Sequence, residues 1–306
     1  DMRIFGLGLS FDWYISDTEN MLTDLTIPTS TGFSIVKDNL GKVRNQGYEI
    51  KANYTFWQNK DGFFNVYGTL VHNKNEIIRL SDSMKAYNDA MLKTAASKGT
   101  STPVLMYQDG LSMSTIWAVP SAGIDPMTGQ EIYIKKDGTQ TYTYDSADLV
   151  AAGDSDPQYR GNFGFTGEYK GFGVSATFTF LTGCEMYNYT LVDRVENIDV
   201  NYHVDRRVLL GRWQKPGDIT QFKRLTGTFE NEDGDWVNEV TRATTRFVQD
   251  RKELSFSSLS VYYEFPRKLI QPLKMERLRL QCYMNDIAQW SSIKIERGLS
   301  YPFARN

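Results

Sequence analysis

The stretch Val174-Ser175-Ala176-Thr177-Phe178-Thr179-Phe180 places an apolar residue at every even position and a hydroxyl at every odd one. Successive side chains of a β-strand point to opposite faces, so this segment predicts a strand with one wholly apolar face and one wholly polar face. That is the pattern of a strand between oil and water. Six further segments repeat it. Phe5, Leu7, Leu9, Phe11 and Trp13 alternate with Gly6, Gly8, Ser10 and Asp12, and Tyr48, Ile50, Ala52, Tyr54 and Phe56 alternate with Glu49, Lys51, Asn53 and Thr55. The others run from Phe64 to Leu70, Phe163 to Tyr169, Leu259 to Phe265, and Leu278 to Met284.

A half-buried strand of a soluble sandwich alternates as well, so connection lengths decide. The turns after the second, fourth and sixth strands are short, at Gln58 to Gly62, Lys170-Gly171 and Pro266 to Lys274. Links after the first, third and fifth are long: Ser16 to Arg44, Glu76 to Asp156 and Glu185 to Arg251. Compact sandwiches rarely carry such long connections. Alternating tight turns and extended loops are the habit of outer-membrane barrels, whose long loops lie outside the cell. The reading is therefore an all-β, antiparallel transmembrane barrel. Seven strands are too few and odd in number to close one, and an open edge in lipid leaves backbone groups unsatisfied, so further strands are expected from elsewhere.

Composition excludes several other classes. Lys and Arg number 34 against 37 Asp and Glu, and no apolar run approaches the roughly 18 residues of a membrane-crossing helix. Basic residues are never interleaved with aromatics, so no nucleic-acid footprint is expected. Only His72 and His203 are present, which leaves little material for a histidine metal site or a catalytic triad. Each reads as a solvated polar residue. The acidic run from Glu230 to Asp235 has oxygen ligands for calcium but lacks the twelve-residue loop pattern, and a solvated loop tip is the simpler reading. Cys184 and Cys282 fall on the apolar faces of strands separated by another strand, so no disulfide is expected between them. Arg267, Lys268 and Lys274 sit in a short turn, where lipid headgroups are simple partners.

Within the long links, Met84, Tyr87, Met91, Leu92 and Ala95 have helical spacing, with Ser81 or Ser83 as cap and Gly99 past the end. That helix is expected to pack on its own loop. Gly123-Ile124-Asp125-Pro126-Met127-Thr128-Gly129 reads as a tight reversal before the short apolar run Glu131 to Ile134. Similar turn chemistry marks Trp213-Gln214-Lys215-Pro216-Gly217-Asp218-Ile219-Thr220-Gln221-Phe222-Lys223-Arg224, where Pro216-Gly217 forces a turn, Asp218 caps backbone groups and Arg224 is placed to pair with Asp218.

This last stretch resembles a signature of the SusC/RagA group of TonB-linked outer-membrane transporters. The Gly123 to Gly129 segment, followed by Ile132-Tyr133 and Asp137-Gly138, resembles a second hallmark of the same group, as do Asn45-Gln46-Gly47-Tyr48-Glu49 opening a strand and Tyr301-Pro302-Phe303-Ala304-Arg305 near the end. The resemblance spans the chain in the group's order. It implies the C-terminal part of a 22-stranded barrel, with the N-terminal plug, the TonB-contacting segment and the last strand outside residues 1–306. The motif residues Gly123, Asp125, Pro126, Gly129, Pro216, Gly217, Asp218, Thr220 and Arg224 are expected to fix how large loops fold over the barrel mouth.

Two functions are open at this point. In the first, resemblance implies an outer-membrane importer of oligosaccharides or peptides, driven through TonB, without a cofactor or a catalytic residue, and covered by a SusD-like surface lipoprotein. In the second, the chain is a non-transporting surface domain that binds glycans through exposed aromatics. Tyr107, Trp117, Trp213 and Trp236 are the candidate substrate contacts.

Overall fold

The computed structural model describes residues 2–4, 6–26, 35–97, 100–198, 206–225, 228–230, 236–238 and 240–293. Eight strands form one sheet in strict chain order: β1 (Met2–Ile4), β2 (Leu7–Glu19), β3 (Gly41–Gln58), β4 (Gly62–Leu80), β5 (Tyr159–Tyr169), β6 (Phe172–Tyr187), β7 (Val248–Glu264) and β8 (Arg279–Ser291). Every neighbouring pair is antiparallel. The seven segments of alternating sequence are β2 to β8.

The eighth strand corrects the expected count. Met2–Ile4 pairs with Leu7–Leu9 across a turn in which Gly6 has a positive φ of 83°, and three residues are too few to display a period. Phe5, expected to begin a strand, lies outside the described residues. The long strands also run past the apolar segments. Asn45 to Glu49, expected to open a strand, lies inside β3, which begins at Gly41.

Register carries the alternation across the whole sheet. Phe163 lies opposite Phe178, and Phe178 opposite Phe256, with ring centroids stacked at 5.2 and 4.6 Å. Cross-strand aromatic pairs of this kind are a main source of sheet stability. On the other face Thr177 lies opposite Gly164, itself opposite Tyr67, and the Thr177 and Tyr67 hydroxyls are 2.8 Å apart. A one-residue slip would exchange the two faces, so the apolar pattern pins the register.

Aromatic rings bound the apolar face at both ends. Toward the short turns stand Tyr54, Phe56, Trp57, Tyr169, Phe172 and Tyr263; Trp57 and Tyr169 meet edge to face at 6.3 Å. Toward the long links Trp13, Tyr48, His72 and Tyr159 form a row one residue per strand. His72 is therefore not a freely solvated residue, since its ring lies 5.0 Å from Tyr48 and 4.7 Å from Tyr159. On β3 the eight steps from Tyr48 to Phe56 give an apolar band about 26 Å long along the strand at about 3.3 Å per residue. Beyond the upper row the same face turns to paired charge: Arg44 grips Asp17 at 2.7 and 2.9 Å, and Lys42 reaches Asp17 and Glu19.

Short and long connections alternate as expected. At one end Asn59 caps the β3–β4 turn by accepting from the amides of Asp61 and Gly62, and Lys170-Gly171, both at positive φ, join β5 to β6. At the other end the links pack into a folded layer with three small cores. One gathers Leu40, Val43, Ile77, Leu80, Met84 and Tyr107; the second includes Ala95, Val104, Met106, Trp117, Val119 and Leu149; the third is centred on Phe247, Val192 and Val195. Helix α1 (Asp82–Ala96) joins the first two cores, with the Ser81 hydroxyl accepting from the Met84 amide. It packs on its own loop, as its spacing predicts.

One cysteine changes face. Gly183, at a positive φ of 75°, interrupts the β6–β7 register, so Cys184 pairs with Arg251 rather than continuing the row of Phe178 and Phe180. A bulge shifts every later side chain by one step. Cys184 is buried and Cys282 exposed, both as free thiols, with β7 between their strands.

Candidate functional site

The two motif stretches, from different long links, form one interlocked turn pair. Asp125 builds the first turn: one carboxylate oxygen accepts from the Met127 amide at 2.9 Å, the other from the Thr128 hydroxyl at 2.7 Å and the Tyr142 hydroxyl at 2.8 Å. These bonds, the Thr128 hydroxyl foremost, hold the Asp125 carboxyl below the usual carboxylate range. Asp218 builds the second turn by accepting from the Gln214 and Lys215 amides at 3.1 and 3.0 Å. Thr220 donates to the Phe222 carbonyl.

The turns then meet. Pro126 offers its carbonyl to two donors of the second motif, the Gly217 amide and the Trp213 indole N–H, each at 2.8 Å. The Arg224 amide donates to the Gly129 carbonyl at 2.9 Å. Gly129 has a φ of 70°, and a β-carbon there would lie 2.5 Å from the Trp213 ring and 2.9 Å from Arg224 Cβ. Only glycine fits. Gly123 and Gly217 also have positive φ, with open space around them. The expected pairing of Arg224 with Asp218 does not form among the described residues: Asp218 accepts backbone amides of its own turn, and Arg224 enters the clasp through its main-chain amide.

Behind the clasp lies a charge network that sequence reasoning did not find. Arg246, at the foot of β7, binds Glu131 from one link at 2.9 Å and Glu196 from the other at 2.6 Å. Side-chain exposures are 7, 2 and 0%. Glu131 also accepts from the Thr244 hydroxyl and Glu196 from the Thr241 hydroxyl. Burial disfavours the Arg246 charge, but the two carboxylates outweigh it, and its pKa rises above the ordinary arginine value.

The candidate aromatics separate. Tyr107 and Trp117, expected to be exposed, are 4 and 5% exposed. Both are held from the loop interior: Tyr107 exchanges two backbone bonds with the Asn88 side chain, and the Trp117 indole donates to Met106 at 2.8 Å. They nevertheless line a cavity of about 610 Å³ in the loop layer. Trp213 is spent on the clasp. The Trp236 side chain, His203, the acidic run beyond Glu230 and the stretch 301–305 lie outside the described residues. Among the described residues no group of three or more His, Cys, Asp or Glu is placed to hold a metal, and no helix is long and apolar enough to cross a membrane.

No family model matches the chain. Three curated proteins of Formosa agariphila do. TonB-dependent receptor P3 is 24% identical over 92% of this chain and 28% of its own length, P39 is 22% identical over 95 and 31%, and P26 is 24% identical over 99 and 30%. The chain thus spans about a third of the relatives it matches. Among solved structures, the RagAB peptide transporter superposes with a TM-score of 0.69 at 19% identity, covering 94% of this chain and 30% of that one. The RagAB peptide importer in its open-open state gives 0.70 at 18% identity, covering 95 and 30%.

Proposed function

We infer that the chain is a segment of a TonB-dependent receptor of the SusC/RagA type, a reading supported by the likeness of its open sheet to the RagA barrel fold and by its similarity to curated TonB-dependent receptors. From that premise we propose that it forms part of the wall and the extracellular loop layer of an outer-membrane nutrient importer. The apolar face of β2 to β8 meets lipid, the polar face lines the lumen, and the long links lie outside the cell. Energy enters through TonB and the N-terminal part of the receptor. The cargo is an oligosaccharide or a peptide, and a SusD-like surface lipoprotein covers the clasped loops.

One observation carries this reading: a continuous apolar face lies between two rows of aromatic rings, while the opposite face bears hydroxyls, amides and charges. Barrels of the outer membrane set aromatic rings at both interfaces of a lipid-facing band about 25 Å tall. A soluble glycan-binding domain would leave the same face in water, including Phe11 and Trp13 at 60 and 66% exposure. Epitope tags at Asp61 and Asp137 of the intact receptor test the orientation on whole cells. Labelling at Asp137 alone is expected; labelling at Asp61 alone inverts the topology.

A further inference from the structure

The two ends of the apolar face treat charge differently. Beyond the aromatic row toward the long links, cations are matched: Arg44 and Lys42 close on Asp17 and Glu19. Beyond the row toward the short turns they are not. The β7–β8 connection leaves the apolar face at Phe265, whose ring meets Tyr263 edge to face at 4.9 Å, and folds into one helical turn, Arg267–Ile270, followed by the tighter turn Gln271–Leu273. It is pinned from within, since Ile270 is buried and its carbonyl accepts from the Met275 amide. Outside stand Arg267, Lys268 and Lys274, all exposed, and none of their side chains finds a hydrogen bond or ion pair among the described residues. Arg277 differs, closing on Glu264 at 2.6 Å. Each of the other two short turns adds a cation, Lys60 in one and Lys170, over the Tyr169 ring, in the other. The carboxylates within these connections are Asp61 and Glu276, too few to match them.

The same turn exposes an apolar residue. Leu269, between Lys268 and the buried Ile270, is 63% exposed. An apolar side chain among unmatched cations, directly beyond an aromatic row, fits the boundary of a bilayer, where acyl chains give way to phosphates. A zwitterionic headgroup brings its own ammonium, so cations without acidic neighbours favour a headgroup of net negative charge. We propose that the β7–β8 connection is a site for anionic phospholipid: Leu269 enters the acyl region, and Arg267, Lys268 and Lys274 hold the headgroup phosphates. The inference rests on the reading of this sheet as a membrane wall, and it assigns the wall a preferred lipid at the end bearing the short turns.

The full-length receptor in lipid bilayers tests it. A bimane label at Leu269→Cys, with Cys184 and Cys282 replaced by Ser, is read by its quenching with phosphatidylglycerol or phosphatidylcholine carrying a nitroxide on the acyl chain. The same label at Phe178→Cys serves as the reference for the wall. At 269 the phosphatidylglycerol is expected to quench at roughly a fifth of the mole fraction that phosphatidylcholine needs, while at 178 the two lipids quench alike. Arg267→Gln, Lys268→Gln and Lys274→Gln together should abolish the preference and leave the label at 269 in lipid. Glycerol phosphate at matched ionic strength should displace nothing. Equal quenching by the two lipids at 269, a preference that survives the triple replacement, or an equal preference at 178 overturns the site. Displacement by glycerol phosphate hands the cations to a soluble phosphate and overturns the lipid. Quenching at 178 with none at 269 leaves the turn to water or to a protein, which overturns the site while the wall reading stands. Quenching at neither position removes the wall reading, and the site falls with it.

Discussion

The indole N–H of Trp213 donates to the Pro126 carbonyl at 2.8 Å across 87 residues of chain. That bond ties one long link to another, and the Gly217 amide shares the same acceptor. The two motif words are therefore halves of one structure, and their spacing within each link is set by the turn that must meet its counterpart. Replacing Trp213 by Phe keeps the ring over Gly129 and removes the donor. The Pro126 carbonyl retains Gly217, so the expected loss is modest, about 0.5–1.5 kcal/mol. Hydrogen exchange of the peptide containing Gly217 in the intact receptor reads it directly.

Gly129→Ala is expected to be worse. The left-handed backbone costs a side chain about 1–2 kcal/mol, and overlap with the Trp213 ring adds about 1–3 kcal/mol. Gly217→Ala supplies the control, since it shares the positive φ but faces open space, and only the backbone part should appear. Limited proteolysis of the loop layer against urea ranks the two; equal sensitivity would mean that the Trp213 contact carries nothing.

Arg246→Met leaves Glu131 and Glu196 buried without their counter-charge. Breaking one partner from a buried pair costs about 3–5 kcal/mol, and removing the charges together is far milder. The triple change Arg246→Met, Glu131→Gln and Glu196→Gln should therefore recover much of the stability lost by the single one. Thermal unfolding of the loop layer followed by proteolysis distinguishes them, and a triple variant no better than the single would refute the charge argument.

Acid should loosen the first turn. The Asp125 pKa is depressed in the folded state, so its contribution is present above the ordinary aspartate value near 3.9 and is lost as pH falls through the lower folded value. Exchange protection around Met127 and Thr128 is expected to hold at pH 5 and to fall below about pH 4. Asp125→Asn should show weak protection already at pH 5, with no further drop on acidification.

How much of this was legible in the sequence depends on the range of the interaction. Alternation in Val174 to Phe180 and its six companions is a local, period-2 property, and it fixed the strands, their faces and the short turns. The Ser81 cap and the helical spacing that follows are local too. Strand β1 escaped because Met2–Ile4 is too short to alternate, and the switch of Cys184 because a single Gly183 bulge leaves no periodic trace. Arg246 finds Glu131 and Glu196 across 115 and 50 residues, which no pattern in either segment announces. Tyr107 and Trp117 looked like surface rings in polar links, and only the folding of those links onto α1 buries them. For Trp213 and Gly129 the motif words were visible, while their mutual contact was not.

The proposed function places lipid against the face bearing Phe178 and water against the face bearing Thr177. Nitroxide labels at Phe178→Cys and at Thr177→Cys, each in the intact receptor in lipid bilayers with Cys184 and Cys282 replaced by Ser, report it through collision with oxygen, which dissolves in lipid, and with a water-soluble nickel chelate. The label at 178 is expected to collide with oxygen and to be shielded from nickel, and the label at 177 to do the opposite. Nickel access at 178 with oxygen access at 177 would contradict it.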